Sequence, residues 1–150
     1  MFDKSSTEIL NSFSCEKCRA ISFHENKLLV STVHSEQEQV LYNWNGFTLT
    51  KEVVPMFSDI RYSYTNTFHN GNIFIAGRPN SNVDTIYGYD ENNNHIMSLT
   101  GHTKPILNIK SFGNYLVSSS SDKTIKIWDV EDQTLLKSIS VSGTPYQGSN

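Results

Sequence analysis

No run of apolar residues in this 150-residue chain approaches the 18 or so that a membrane-crossing helix needs. With no leader-like stretch either, the expectation is a soluble protein of the cytoplasm or nucleus that does not meet a membrane. Excess positive charge is also missing. Twelve Lys and Arg stand against 15 Asp and Glu, for a net charge of −3 and a pI near 5.9. That removes the electrostatic footprint of a duplex-nucleic-acid binder, so nucleic acid is not an expected partner. Cysteine is scarce, at two residues, Cys15 and Cys18. Tetrahedral zinc needs four ligands, and one C-x-x-C with His24 and His34 nearby does not define them. A thioredoxin-like redox motif would need a βαβ setting, which the pattern lacks. The simpler expectation is two free thiols flanking a loop, with no metal and no cofactor. A G-x-S-x-G elbow, a Gly-rich phosphate loop and an aromatic ribonucleoprotein motif are absent as well. Enzymatic and RNA-binding readings therefore lack their usual carriers.

What the chain does have is alternation. Residues 99–129, LTGHTKPILNIKSFGNYLVSSSSDKTIKIWD, place Gly101-His102 at a short distance from Trp128-Asp129, with strand-like sequence between them. Period-two patterning and turn residues predict strand a over Ile106 to Lys110 and a turn at Gly113-Asn114. They predict strand b over Tyr115 to Ser119, a turn at 121–123, strand c over Thr124 to Trp128 and strand d over Thr134 to Ser140. In strand c, Ile125 and Ile127 share one face and Lys126 and Trp128 the other.

The pattern recurs earlier in weaker form. Gly71-Asn72 followed by IFIA matches Gly113-Asn114 followed by YLVS, and TIYGYD at 85–90 matches TIKIWD at 124–129. This places Tyr89-Asp90 over Trp128-Asp129 and Ala76 over Ser118. Earlier still, NKLLVS at 26–31 matches GNYLVS, setting Ser31 over Ser118, and VLYNWN at 40–45 puts Trp44-Asn45 over Trp128-Asp129. Neither copy keeps the Gly-His pair, because Cys15 and Ile60 fall at the His102 position.

A Gly-His to Trp-Asp unit repeating at about 40 residues resembles the WD-repeat β-propeller family, whose repeats each form one four-stranded blade. The resemblance implies an all-β partial propeller of about twelve to fourteen strands. Its parts would be a stray outer strand d at 7–14, blades at 15–53, 54–99 and 100–140, and the start of a further blade at 141–150. A seven-bladed ring needs roughly 280 residues at that period. The missing blades would then come from the rest of a longer chain or from self-association. The resemblance also implies that His102, Ser118, Asp122 and Trp128 form a buried structural hydrogen-bond chain. Their donor inventory suits this, since an indole N–H only donates, a carboxylate only accepts, and hydroxyl and neutral imidazole do both. A hydrolase triad is the competing reading of Ser, His and Asp at such spacing.

Carrying the family register across puts Lys17, Arg19, Tyr62, Tyr64, Arg78, Lys104 and Ser121 on the face where partners commonly dock. Lys, Arg and Tyr gathered in an otherwise acidic chain suit an acidic or phosphorylated protein segment. The bland alternative is a solvated rim with ordinary strand tyrosines. The leading function is a non-catalytic scaffold for a protein or peptide partner. The alternatives are the substrate-recognition part of a larger ubiquitin ligase or kinase complex, or an RNA-binding propeller.

Overall fold

The alternation in the sequence becomes twelve β-strands and no helix among the residues that the computed structural model describes, 18–32, 39–46, 48–52, 60–78 and 84–141. The first sheet holds β1 (Cys18–His24), β2 (Lys27–Thr32), β3 (Gln39–Trp44) and β4 (Leu49–Glu52). The second holds β5 (Arg61–His69), β6 (Asn72–Arg78), β7 (Thr85–Tyr89) and β8 (His95–Leu99). The third holds β9 (Ile106–Phe112), β10 (Tyr115–Ser120), β11 (Thr124–Asp129) and β12 (Thr134–Ser140). Each sheet is a four-stranded antiparallel meander in chain order, and each strand pairs with its sequence neighbours. Innermost strands pack side by side, with β5 between β1 and β9. The expected strand at 7–14 and blade start at 142–150 lie outside the described residues.

Tight turns set the register. Asn70 and Gly71 between β5 and β6 both have positive φ, 48° and 80°, as a type I′ hairpin turn requires, and Asn-Gly is the pair that tolerates it best. Across this turn His69 faces Asn72, as Phe112 faces Tyr115 across Gly113-Asn114 and His24 faces Lys27 in the first sheet. Counting from these pairs corrects the repeat alignment by one residue in strand b. Ile75 and Val30, rather than Ala76 and Ser31, stand where Ser118 stands. Tyr89 lies opposite Ile73 as Trp128 lies opposite Leu116, so Tyr89 does occupy the Trp128 position. In the first sheet, however, Leu28 faces Tyr42, which puts Tyr42 rather than Trp44 there. A slip of one residue exchanges the faces of a strand, which is why likeness of letters cannot replace the pairing.

Two apolar clusters fill the gaps between sheets. Leu29 and Leu41 of the first sheet meet Phe68, Ile73, Ile75 and Tyr89 of the second, together with Ile60, which is buried just ahead of β5. Phe74, Ile86, Met97 and Leu99 on the other face of the second sheet meet Ile109, Leu116 and Trp128 of the third. The Lys126–Trp128 face of β11 is thus the covered one, and the Ile125–Ile127 face is left half-buried. Polar contacts stitch the same seams. Asn66 Nδ2 donates to Ser31 Oγ at 2.6 Å, the Ile109 N–H donates to Thr65 Oγ1 at 3.1 Å, and His69 Nδ1 lies 2.8 Å from Ser111 Oγ. Cys18 is disulfide-bonded, which corrects the expectation of free thiols. A C-x-x-C spacing is short enough for two sulfurs to meet once a chain turns. Cys15 itself lies outside the described residues.

Gly88 shows how tightly the second seam is filled. It pairs with Phe74, and a Cβ added there would lie 2.8 Å from both Phe74 Cε1 and Met97 Cγ. Gly88→Ala is expected to cost about 1–3 kcal/mol by overpacking. Trimming the neighbour in Gly88→Ala/Phe74→Leu should recover part of the loss, because the two changes share a contact. Urea midpoints of the parent, the two single variants and the double variant check this coupling, and strict additivity would contradict it.

Candidate functional site

The turn at 121–123 and the connection at 100–105 bring four side chains from distant parts of the repeat onto one line. The Trp128 indole N–H donates to Ser118 Oγ at 2.8 Å, and Ser118 Oγ lies 2.8 Å from His102 Nε2. On the far side of the imidazole, His102 Nδ1 lies 2.7 Å from Asp122 Oδ2. Because the indole can only donate and the carboxylate can only accept, the hydrogens run one way. Trp128 gives to Ser118, Ser118 gives to Nε2, and Nδ1–H gives to Asp122. Gly101 is required beside this chain. Its φ is 151°, and a Cβ there would lie 3.2 Å from the Trp128 ring.

Asp122 is the anchor. It accepts from the Thr124 hydroxyl at 2.6 Å, the Thr124 N–H at 2.8 Å and the Thr103 N–H at 3.1 Å, besides His102. Burial alone pushes its carboxyl up, but the bonds from Thr124, His102 and Thr103 outweigh that and hold it well below the usual 3.8. Asp122 therefore stays ionised and fixes the His102 tautomer. Neither Thr124 nor the carboxylate's backbone partners could be singled out from the sequence, since they depend on how the turn closes.

The connectivity of Ser118, His102 and Asp122 is that of a hydrolase triad, but access decides against chemistry. Ser118 and His102 are each 1% exposed, and Trp128 lies over them at 2%. A nucleophile must reach a substrate carbonyl, and the Ser118 hydroxyl already sits between two buried partners. Among the described residues no group of three His, Cys, Asp or Glu side chains could hold a metal ion.

The remaining sequence candidates fall into two places. Lys104 and Ser121 come together at the entry to the third sheet, where the Ser121 N–H donates to the Pro105 carbonyl at 2.9 Å and Ser120 Oγ donates to the Lys104 carbonyl at 3.0 Å. Both side chains are exposed, as is Lys123 beside them. Arg78 reaches the same neighbourhood but is paired with the buried carboxylate of Asp84. The second oxygen of Asp84 accepts the Ile106 N–H at 2.6 Å, so this pair ties the second sheet to the start of β9. Arg78 thus offers less charge to solvent than the sequence suggested. Asp84 was not singled out from the sequence, although an acid six residues beyond Arg78 across a turn-rich insertion was the available signal. Arg19 stacks over the Tyr64 ring at 5.8 Å from its centroid, joining β1 to β5. Lys17 and the Tyr62 side chain lie outside the described residues.

Sheets of four antiparallel strands stacked through alternate faces are the blades of a β-propeller. Residues 93–129 match the family described as WD domain, G-beta repeat, so this segment carries a WD40 repeat. It is 39% identical over 67 residues to a WD40 repeat-containing protein of Dictyostelium discoideum, covering 42% of this chain and 10% of that protein. It is 42% identical over 57 residues to nuclear distribution protein PAC1 of Candida tropicalis, covering 36% and 12%. To cell division control protein 4 of Candida albicans it is 36% identical over 50 residues, covering 33% and 7%. The matched stretch therefore spans about a tenth of these relatives. Among solved structures, the WD40 β-propeller domain of Doa1 superposes with a TM-score of 0.67 at 15% identity, covering 83% of this chain and 41% of that one. The computationally designed Ika4 protein superposes at 0.65 and 18% identity, covering 93% and 82%. At such identities the likeness is one of fold.

Two outcomes test the network as a structural device. His102→Ala should cost about 1–3 kcal/mol by leaving buried Ser118 and Asp122 unpaired. Trp128→Ala should cost about 3–5 kcal/mol, since lost packing adds to the lost bond. Chemical denaturation reads both. Because the folded-state pKa of Asp122 is depressed, its contribution is complete above the unfolded value of 3.8 and is lost as pH falls below it. Asp122→Asn should be less stable than the parent at neutral pH, with the gap narrowing on acidification below about pH 4. A constant gap across that window would show that the carboxylate charge is not what holds the turn.

Proposed function

We propose that the chain is a non-catalytic interaction scaffold that holds an acidic or phosphorylated protein segment at the end of the blades bearing Lys104 and Ser121. The observation that carries this reading is the division of labour at that end. The Ser118–His102–Asp122 network is sealed under Trp128, while Lys104, Ser121 and Lys123 stand exposed beside it and Arg19 stands exposed near the start of β1. Scaffolding is the general role of WD40 propellers, and exposed cations beside hydroxyls and a stacked Arg–Tyr pair suit carboxylate or phosphate groups. In this reading the half-buried Ile125–Ile127 face of the third sheet receives a further blade, from the rest of a longer chain or from a second copy.

Charge reversal at Arg19 and Lys104 should abolish capture of fluorescent glutamate-rich and phosphoserine peptides while leaving the urea midpoint within about 0.5 kcal/mol of the parent. Parent binding should weaken as salt rises, because attraction between exposed charges is screened within about 10 Å at 0.1 M. Arg78 is kept intact, since removing it would strand Asp84. Control reversals at Glu91 and Asp132, at the opposite end, should not reduce capture. Loss of capture in the controls alone would place the acidic-peptide site at the wrong end.

A further inference from the structure

The opposite end of the blades has chemistry of its own. In a four-stranded meander the a-to-b and c-to-d turns gather at the end away from Lys104. Among the described residues these turns and their flanks carry Glu25, Asp90, Glu91, Asp129, Glu131 and Asp132. Lys27 lies beside them, and its ammonium donates to the Glu91 carbonyl at 3.2 Å. Asp90 and Asp129 are occupied locally. Asp90 accepts the N–H groups of Asn92 and Asn94, and Asp129 those of Glu131 and Asp132. Glu25, Glu91, Glu131 and Asp132 make no ion pair among the described residues.

One point in this acidic strip is concave. A cavity of about 330 Å³ lies between the β5–β6 turn and the turns of the third sheet, and its polar lining is His69, Asn70, Asn72, Asn114 and Glu131. That volume falls at the small end of the range of about 300–1,000 Å³ that ligand sites occupy. His69 is a built part of the site. Its imidazole is only 4% exposed, edge-on to Phe74 at 6.1 Å, and Nδ1 is held by Ser111 Oγ at 2.8 Å. The other ring nitrogen, Nε2, has no partner among the described residues and belongs to the ring that lines the cavity. Burial holds the His69 pKa below its usual 6.5, so the ring is neutral at pH 7. In the tautomer whose Nδ1–H donates to Ser111 Oγ, Nε2 is an acceptor.

The cavity can therefore offer acceptors from a carboxylate, a neutral imidazole nitrogen and three amide side chains, with the Met97 side chain as an apolar wall. A group made only of donors satisfies such a set. Guanidinium has five N–H donors and ammonium three, and neither accepts. Either arrives on an aliphatic stem that can lie along Met97. We propose that this cavity at the junction of the second and third blades binds an arginine or lysine side chain of a basic protein segment, whose flanking cations run along Glu91 and Asp132. The site is independent of the Lys104 end and opposite to it in charge preference.

A fluorescent arginine–serine peptide, its lysine–serine counterpart and a glutamate–serine control, titrated into the full 150-residue chain, test the assignment by anisotropy. Both basic peptides should bind, and the relative affinity of the arginine and lysine forms reports which cation fits. Glu131→Gln is surface-exposed and should fold normally. It should weaken basic-peptide binding about tenfold, in line with removal of a charge-assisted hydrogen bond, and Glu25→Gln should change it little. The His69 ring resonances should shift in nuclear magnetic resonance spectra as the peptide is added. Reversal at Arg19 and Lys104 should leave basic-peptide binding intact, so failure of this site and failure of the acidic-peptide reading are separable. Glu131→Gln no weaker than Glu25→Gln would mean diffuse attraction to the acidic turns and would overturn the cavity assignment. So would unmoved His69 resonances at saturating peptide.

Discussion

A four-stranded sheet has two faces and cannot cover either by itself, and most of this structure follows from that constraint. The middle sheet meets it by turning Ile73, Ile75 and Tyr89 to one neighbour and Phe74, Ile86 and Met97 to the other. Its strands β6 and β7 are accordingly buried along nearly their whole length. The outer sheets have one described neighbour each and keep the alternation of a half-covered sheet. The third shows the consequence most plainly, with Ile139 at 40% exposure although it pairs with Ile125 across β11–β12. Stability in such an arrangement is approximately a sum of blade and seam contributions, so each seam must be filled on its own terms.

The two seams are filled differently, which explains why one repeat is well formed and two are degraded. At the third sheet a large indole is buried, and its N–H must find an acceptor. The Ser118–His102–Asp122 chain supplies one and then closes the turn through Thr124. Where Tyr89 replaces the tryptophan, the serine position is taken by Ile75, so the indole-to-hydroxyl bond of the third sheet has no counterpart there. The seam instead borrows polar contacts from the next inner strand. Asn66 reaches Ser31 in one direction and Thr65 reaches Asn108 and Ile109 in the other. A buried polar network is worthwhile when it is complete. The degraded repeats have dropped it as a unit and kept packing.

Much of this was legible in the sequence where local rules decide the outcome. Strand β12 runs over the same residues as its alternation, and the other strands of the third blade differ by a residue or two at their ends. The four residues of the network were legible through the resemblance of the third repeat to the WD-repeat family, and their donor and acceptor inventory agreed with it. Register was not, because Gly71-Asn72 and Gly113-Asn114 look alike as letters while the turn takes Asn70-Gly71 in one hairpin and Gly113-Asn114 in the other. The identity of Trp44 misled in the same way, since pairing assigns its expected place to Tyr42. Contacts between blades were also out of reach. That Arg78 would be claimed by Asp84, and Asp84 by the start of β9, depends on which loops meet.

The same meander that stacks the blades sorts their charges. Loops b-to-c and d-to-a must emerge at one end, and turns a-to-b and c-to-d at the other. Each end therefore collects the residues that its turn chemistry favours. The tight a-to-b and c-to-d turns need Asn, Asp and Gly to tolerate positive φ and to accept their own backbone N–H groups, as Asp90 and Asp129 do. Acidity at that end thus begins as turn chemistry, and Glu91, Glu131 and Asp132 extend it beyond what the turns require. At the other end the one carboxylate that the turn of the third blade needs, Asp122, is consumed by the network, leaving Lys104 and Lys123 uncompensated. Among the described residues, a chain with a net charge of only −3 in this way gathers exposed cations and exposed acids at different ends. The field that any approaching charged molecule meets depends on where the charges sit rather than on their sum.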